Sequence, residues 1–205
     1  MFHPKYYWLR RLTFCAVLAA LATGLLSFRI YAGHGELPSS DKARSGDVVF
    51  IRGKSIRSAV VGFFEGGYRA YSHVGIVILE NGCPFIIHAD PAHNAVADRV
   101  MREAWDVVIS PKRIGAAAIF RMADSNFVDS PNIKASTVAL QFWRDELPFD
   151  HEFDLSTPQK LYCTELVWRA YMAAGVDLCG DLFGSDRKYL LPSDLIKSGL
   201  LREVL

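Results

Sequence analysis

Neither sign of charge is in surplus. Twenty-three Lys and Arg stand against 22 Asp and Glu, a formal net charge of +1, so the chain lacks the basic footprint that a nucleic-acid partner requires. Cysteine is scarce, and 4 in 205 residues are too few for a disulfide-stapled scaffold. Zinc-finger spacing, a glycine-rich phosphate loop and a dinucleotide fingerprint are all missing, as are internal repeats and low-complexity tracts. Aromatic residues at 12% and charged residues at 22% exclude a disordered chain. What remains is one compact domain, with or without an appendage, long enough to bury a sizeable core.

The appendage is at the N-terminus. Leu12 to Phe28 is a run of 17 residues without a charge, preceded by Lys5, Arg10 and Arg11 and closed by Arg29. At 1.5 Å per residue it reaches roughly 26 Å, the short end of a membrane span. The basic flank in front predicts an export signal with its N-terminus in the cytoplasm. Ile30-Tyr31-Ala32 supplies one of the two small residues of a cleavage site, which favours an uncleaved anchor over a cleaved peptide. Residues 1–30 are therefore expected to be a signal anchor or signal peptide, 31–44 a polar linker, and 45–205 the working domain. The expected location is the cell envelope, either anchored in the inner membrane facing the periplasm or exported.

Within the working domain, strands come first and helices later. Val48–Ile51 follows the Ser45-Gly46-Asp47 turn as a short buried strand. Residues 55–70 suggest a loop or short helix. Val74–Leu79 and Pro84–His88 flank Asn81-Gly82, the signature of a two-residue hairpin whose central residues need positive φ. A further strand is expected over Ala116–Met122. Ser130 as N-cap and Pro131 at N1 open a helix that runs to about Glu146. Cys163, Leu166, Val167, Ala170, Tyr171 and Ala174 recur at helical spacing and stop at Gly175, and Pro192-Ser193-Asp194 starts a last short helix. The fold class is α+β: a small antiparallel sheet packed against helices.

Two residues stand out as chemistry. Cys163 lies near the start of its helix, where free N–H groups around Cys163 and Thr164 lower a thiol's pKa and hold an oxyanion. Taken alone it reads as a small buried hydrophobe; a nucleophile needs a base. His73 is the candidate base, at the first position of the hairpin's first strand, although a lone strand-end histidine also reads as an ordinary surface or hydrogen-bonded one. An Asn81-Gly82 turn sets His73 opposite Asp90 and Gly75 opposite His88, so His73, His88 and Asp90 project from one face. That supplies a base together with polar groups able to fix its tautomer.

The segments SGDVVFIRGKS, YSHVGIVILENG, FIIHADP, FDHEFDLSTPQKLYCTELVWRAYMAAGVDL and LPSDL resemble the permuted papain-like NlpC/P60 amidases, most of all the YiiX/YaeF-like branch, peptidase family C92. The resemblance spans about residues 45–196. It implies a circularly permuted papain-like fold in which histidine precedes cysteine, with Cys163 as nucleophile, His73 as base and His88 at the orienting position. Many relatives carry Glu there, so this chain lacks the fixed negative charge at that position, and Asp90 is a local substitute. Tyr162, Thr164 and Ser72 fall in the matched motifs as candidate substrate or oxyanion residues. Glu165 is expected to complement the helix N-terminus or pair with an arginine. The implied reaction is amide hydrolysis through a thioester, without metal or organic cofactor, on a cell-wall peptide or amino-acid amide.

Other readings stay open. The same dyad fits a lipid-directed hydrolase or acyltransferase, and a decayed site would leave an inactive envelope binding module. His88, Asp90 and His93 could be read as metal ligands, but no fourth ligand is evident. His151 stands in an acidic, solvated loop with Asp150, Glu152 and Asp154. Cys83 and Cys179 could pair in an oxidising compartment, although the sequence gives no distance between them. Oligomeric state has no signature in the sequence.

Overall fold

The computed structural model describes residues 37–54, 71–91, 98–122, 130–180 and 188–204. The chain divides into two units, residues 1–34 and 35–205, and every described residue belongs to the second. The apolar run 12–28, the linker before residue 37, residues 55–70 and His93 lie outside the described residues. Among the described residues, no helix is long and apolar enough to cross a membrane.

Six antiparallel strands form one sheet in the order β4-β3-β2-β1-β5-β6. They are β1 Val48–Gly53, β2 His73–Glu80, β3 Cys83–Ala89, β4 Val100–Ala104, β5 Ile114–Met122 and β6 Leu201–Glu203. Among the described residues the α-helices are α1 Trp105–Val108, α2 Pro131–Arg144, α3 Cys163–Ala173 and α4 Pro192–Lys197. This is the α+β class expected, with a larger sheet. Strand β4 is Val-Met-Arg-Glu-Ala and β6 is Leu-Arg-Glu, neither with the apolar alternation that announces a strand.

The β2–β3 hairpin forms as its turn requires. Asn81 and Gly82 take φ of 50° and 79°, the left-handed values of a two-residue turn that matches strand twist. Glu80 pairs with Cys83 and Ile76 with Ile87, the register anticipated from the sequence.

Strand alternation gives the sheet two apolar faces. Val48, Phe50, Val74, Ile76, Ile78 and Ile87 pack with Leu166, Val167, Ala170 and Tyr171 of α3, and Ser130 caps α2 on the same side by accepting from Ile133 N–H. Val49, Ile51, Val77, Ile86 and Ile119 form a second core with Trp105, Val108 and Ile109. Each buried aliphatic side chain contributes about 1.5–3 kcal/mol relative to exposure.

The Ser-Gly-Asp turn before β1 ties these layers together. Gly46, with φ of 88°, lies so close to α2 that a Cβ there would collide with the backbone carbonyl of Asn132. The Tyr171 hydroxyl is 2.6 Å from the Gly46 carbonyl oxygen and 2.9 Å from Asn132 Oδ1. Asp47 is fully buried and accepts two hydrogen bonds from Arg121, each 2.7 Å, and one of 2.8 Å from Arg44 N–H. The motif thus holds α2, α3 and β5 against β1.

Candidate active site

Cys163 is the first residue of α3. Tyr162 precedes it as N-cap in extended backbone and provides no side-chain acceptor, so no capping group consumes the first-turn N–H groups, and the positive end of the helix dipole bears on the sulfur. The thiol is half-buried and hydrogen-bonded to His73, with Val74 N–H also directed at it. The Thr164 hydroxyl lies 3.8 Å from Sγ. Burial pushes the thiol up, but the hydrogen bond and charge of His73, helped by Thr164 and Val74 N–H, outweigh it and bring Cys163 below its ordinary value.

Behind His73 runs a line of polar groups. His73 Nε2 is 2.9 Å from His88 Nδ1, with the two rings nearly perpendicular and 5.0 Å apart. Since Nε2 faces His88, Nδ1 is the nitrogen left for the thiol. His88, 2% exposed, directs its Nε2 at Glu103 Oε2, 2.9 Å away. Glu103 Oε1 meets Arg113 Nη1 at 3.4 Å. The hydrogen bond from His88 is the main reason the Glu103 carboxyl is held down to about 2, against the opposing effect of burial.

Strand register puts these residues in line. His88 pairs with Met101 and Ile86 with Glu103, so His73, His88 and Glu103 step diagonally across β2, β3 and β4 on one face, within reach of long side chains. Gly75 leaves the room for this step. A Cβ at Gly75 would stand 2.6 Å from Ile86 Cγ2, 2.9 Å from Ile87 O and 3.0 Å from His88 Cβ.

The other anticipated residues take varied places. Asp90 comes within 4.8 Å of the ring nitrogens of His73 and His88, but the hydrogen bond to His73 is made by His88. Ser72 Oγ accepts from Gly53 N–H at 3.1 Å, fastening the end of β1 to the start of β2. Tyr162 is buried; its hydroxyl accepts from Leu190 N–H at 2.7 Å, and burial raises it far above the usual phenol range. Thr164 is buried beside the nucleophile. Glu165 accepts from Arg169 Nε at 2.7 Å, the arginine pairing expected of it. His151 pairs with Asp98, and Asp150 is fully buried, accepting from Glu152 and Asp154 N–H. No disulfide joins Cys83, which is exposed, to Cys179, which is buried.

Glu103 is the functional candidate that sequence reasoning missed. Its signal was the pairing of β3 with β4, and no turn motif announces that register as Asn81-Gly82 announces the hairpin.

His73, His88 and Asp90 hold donor atoms close enough together for a cation. The arrangement does not fit one, because both nitrogens of His88 are engaged, by His73 and by Glu103. A metal on His88 would have to displace the base or the carboxylate.

A family model described as permuted papain-like amidase enzyme, YaeF/YiiX, C92 family, matches residues 42–182. Among solved structures, the crystal structure of the metalloprotein yiiX from Escherichia coli O157:H7, DUF1105, is similar at a TM-score of 0.61 and 18% identity, covering 80% of this chain and 97% of that one. It shares the fold. No curated protein matches the chain.

Proposed function

The chain belongs to the permuted papain-like amidases of the YaeF/YiiX family, and from that premise we propose that Cys163 and His73 cleave an amide through a thioester. As a member it is a cysteine hydrolase of amide bonds. One observation supports the finer reading: a thiol on the first residue of an uncapped helix, hydrogen-bonded to an imidazole that lowers its pKa.

His73 takes the proton of Cys163 at Nδ1. The thiolate attacks the amide carbonyl carbon, forming the C–S bond, and charge develops on the carbonyl oxygen, where first-turn N–H groups of α3 offer donors. As the oxyanion collapses, the C–N bond breaks and His73 protonates the departing amine. His73 then deprotonates a water that attacks the thioester; the acid leaves and the thiol is restored. The similar E. coli protein is a metalloprotein, but in this chain a cation on the histidines would compete with the base for its nitrogens.

The substrate proposed is an envelope peptide or amino-acid amide, reached by a domain held at or beyond the inner membrane by residues 1–30. The test is mass spectrometry after incubation with muropeptides and envelope phospholipids. Muropeptide cleavage that is lost in Cys163→Ala is the expected result. Acyl transfer from phospholipid alone would make the enzyme lipid-directed, and turnover retained in Cys163→Ala would end the mechanism.

A further inference from the structure

Histidine at the orienting position brings an ambiguity that a carboxylate does not have. A neutral imidazole holds its proton on Nδ1 or on Nε2. With the proton on Nε2, His88 Nδ1 accepts from His73 Nε2–H, and His73 Nδ1 is bare to receive the thiol proton. With the proton on Nδ1, His88 donates to His73 instead. His73 then carries its own proton on Nδ1, against the sulfur, and cannot act as a base.

Within the amidase reading above, on which this step rests, we propose that Glu103 is the positioning residue that makes this choice: its carboxylate holds the His88 proton on Nε2, and its charge balances the imidazolium formed on His73. The contact is direct, at 2.9 Å, and a carboxylate can only accept. The hydrogen bond from His88 keeps that carboxyl ionised down to about 2. His88 is buried, so water does not compete for its nitrogens. Arg113 on the second oxygen turns Oε2 toward the ring. Among the described residues, the charged and titratable groups facing this line are Cys163 from α3, Asp90 after β3 and Arg113 before β5. Glu103 thus returns, one strand further back, the negative charge that histidine at position 88 does not supply.

The test follows iodoacetamide alkylation at the Cys163 peptide against pH in the full chain, alongside the ring 15N shifts of His88. The wild type is expected to show Nε2 protonated and a thiol that alkylates well below the pH of a free cysteine. Glu103→Gln should raise the alkylation midpoint by about one pH unit, a rate loss of about tenfold at fixed acidic pH. A carboxylate placed directly at the orienting position, His88→Glu with Glu103→Gln, should recover the midpoint. A Glu103→Gln profile that superimposes on wild type overturns the proposal while His73→Ala still abolishes low-pH alkylation; if His73→Ala also leaves the profile unchanged, the base assignment falls and this step with it. A wild-type His88 protonated on Nδ1 overturns it without any variant.

Discussion

His73 meets Cys163 from the far end of the domain sequence, and its contribution can be read directly on the thiol. Because the imidazole lowers the thiol pKa against the effect of burial, His73→Ala should cut iodoacetamide labelling of Cys163 by about tenfold or more near neutral pH. The deficit should shrink in alkali, where the thiol ionises unaided, and peptide mapping checks both limbs. Glu165, two residues on, is a burden of a different kind. It is fully buried, its Oε2 has no hydrogen-bond partner among the described residues, and burial, against the pull of Arg169, raises it from 4.5 to about 7. A carboxyl that binds its proton more tightly when folded loses stability as pH rises from about 4.5 to about 7, and the loss persists above. Glu165→Gln does not titrate, so its melting temperature relative to wild type should climb across that window, by an amount equivalent to about 3 kcal/mol at most. A constant difference between pH 5 and pH 8 would refute the assignment.

At the scale of elements, the hairpin was legible and its neighbour was not. Asn81-Gly82 fixes one turn geometry, the geometry fixes the register, and the register alone sets His73 and His88 on one face. Helix α3 was legible too, since Leu166, Val167, Ala170 and Tyr171 recur at helical spacing and all prove buried. Strand β4 failed because its Val-Met-Arg-Glu-Ala sequence shows no apolar alternation; it pairs with β3 through backbone, and a backbone ladder leaves no mark in composition. The pairing of β2 with β3 also rests on Gly75, whose missing side chain reads in sequence as an ordinary glycine. Gly75→Ala pushes a methyl into Ile87 O, which is backbone and cannot swing aside. It should destabilise the domain by about 1–3 kcal/mol and, by separating His88 from His73, reduce turnover by more than tenfold. Urea denaturation together with an activity assay tests both.

For the whole molecule, the most conspicuous motif after the hairpin proves architectural. Ser-Gly-Asp before β1 carries no chemistry; Gly46 admits α2, and Asp47 neutralises Arg121 within the fold. Asp47→Asn leaves the guanidinium, 16% exposed, without its counter-charge, a change that costs about 3–5 kcal/mol in buried pairs. Thermal melts should show the loss, and Asp47→Asn with Arg121→Met should recover part of it. The layering that this clamp secures was only half visible from sequence. The face covered by α2 and α3 follows from helical spacing, whereas the second core around Trp105 depends on the short α1 that β4 feeds directly.

The base, its histidine partner and the carboxylate behind them stand on three successive strands, each paired with the next, while the sulfur arrives on a helix made much later in the chain. The proton-handling groups therefore sit on local strand pairings, which carry little loop-closure cost, whereas the contact that joins them to the sulfur spans most of the domain. The site is complete only when α3 seats its first turn against the start of β2.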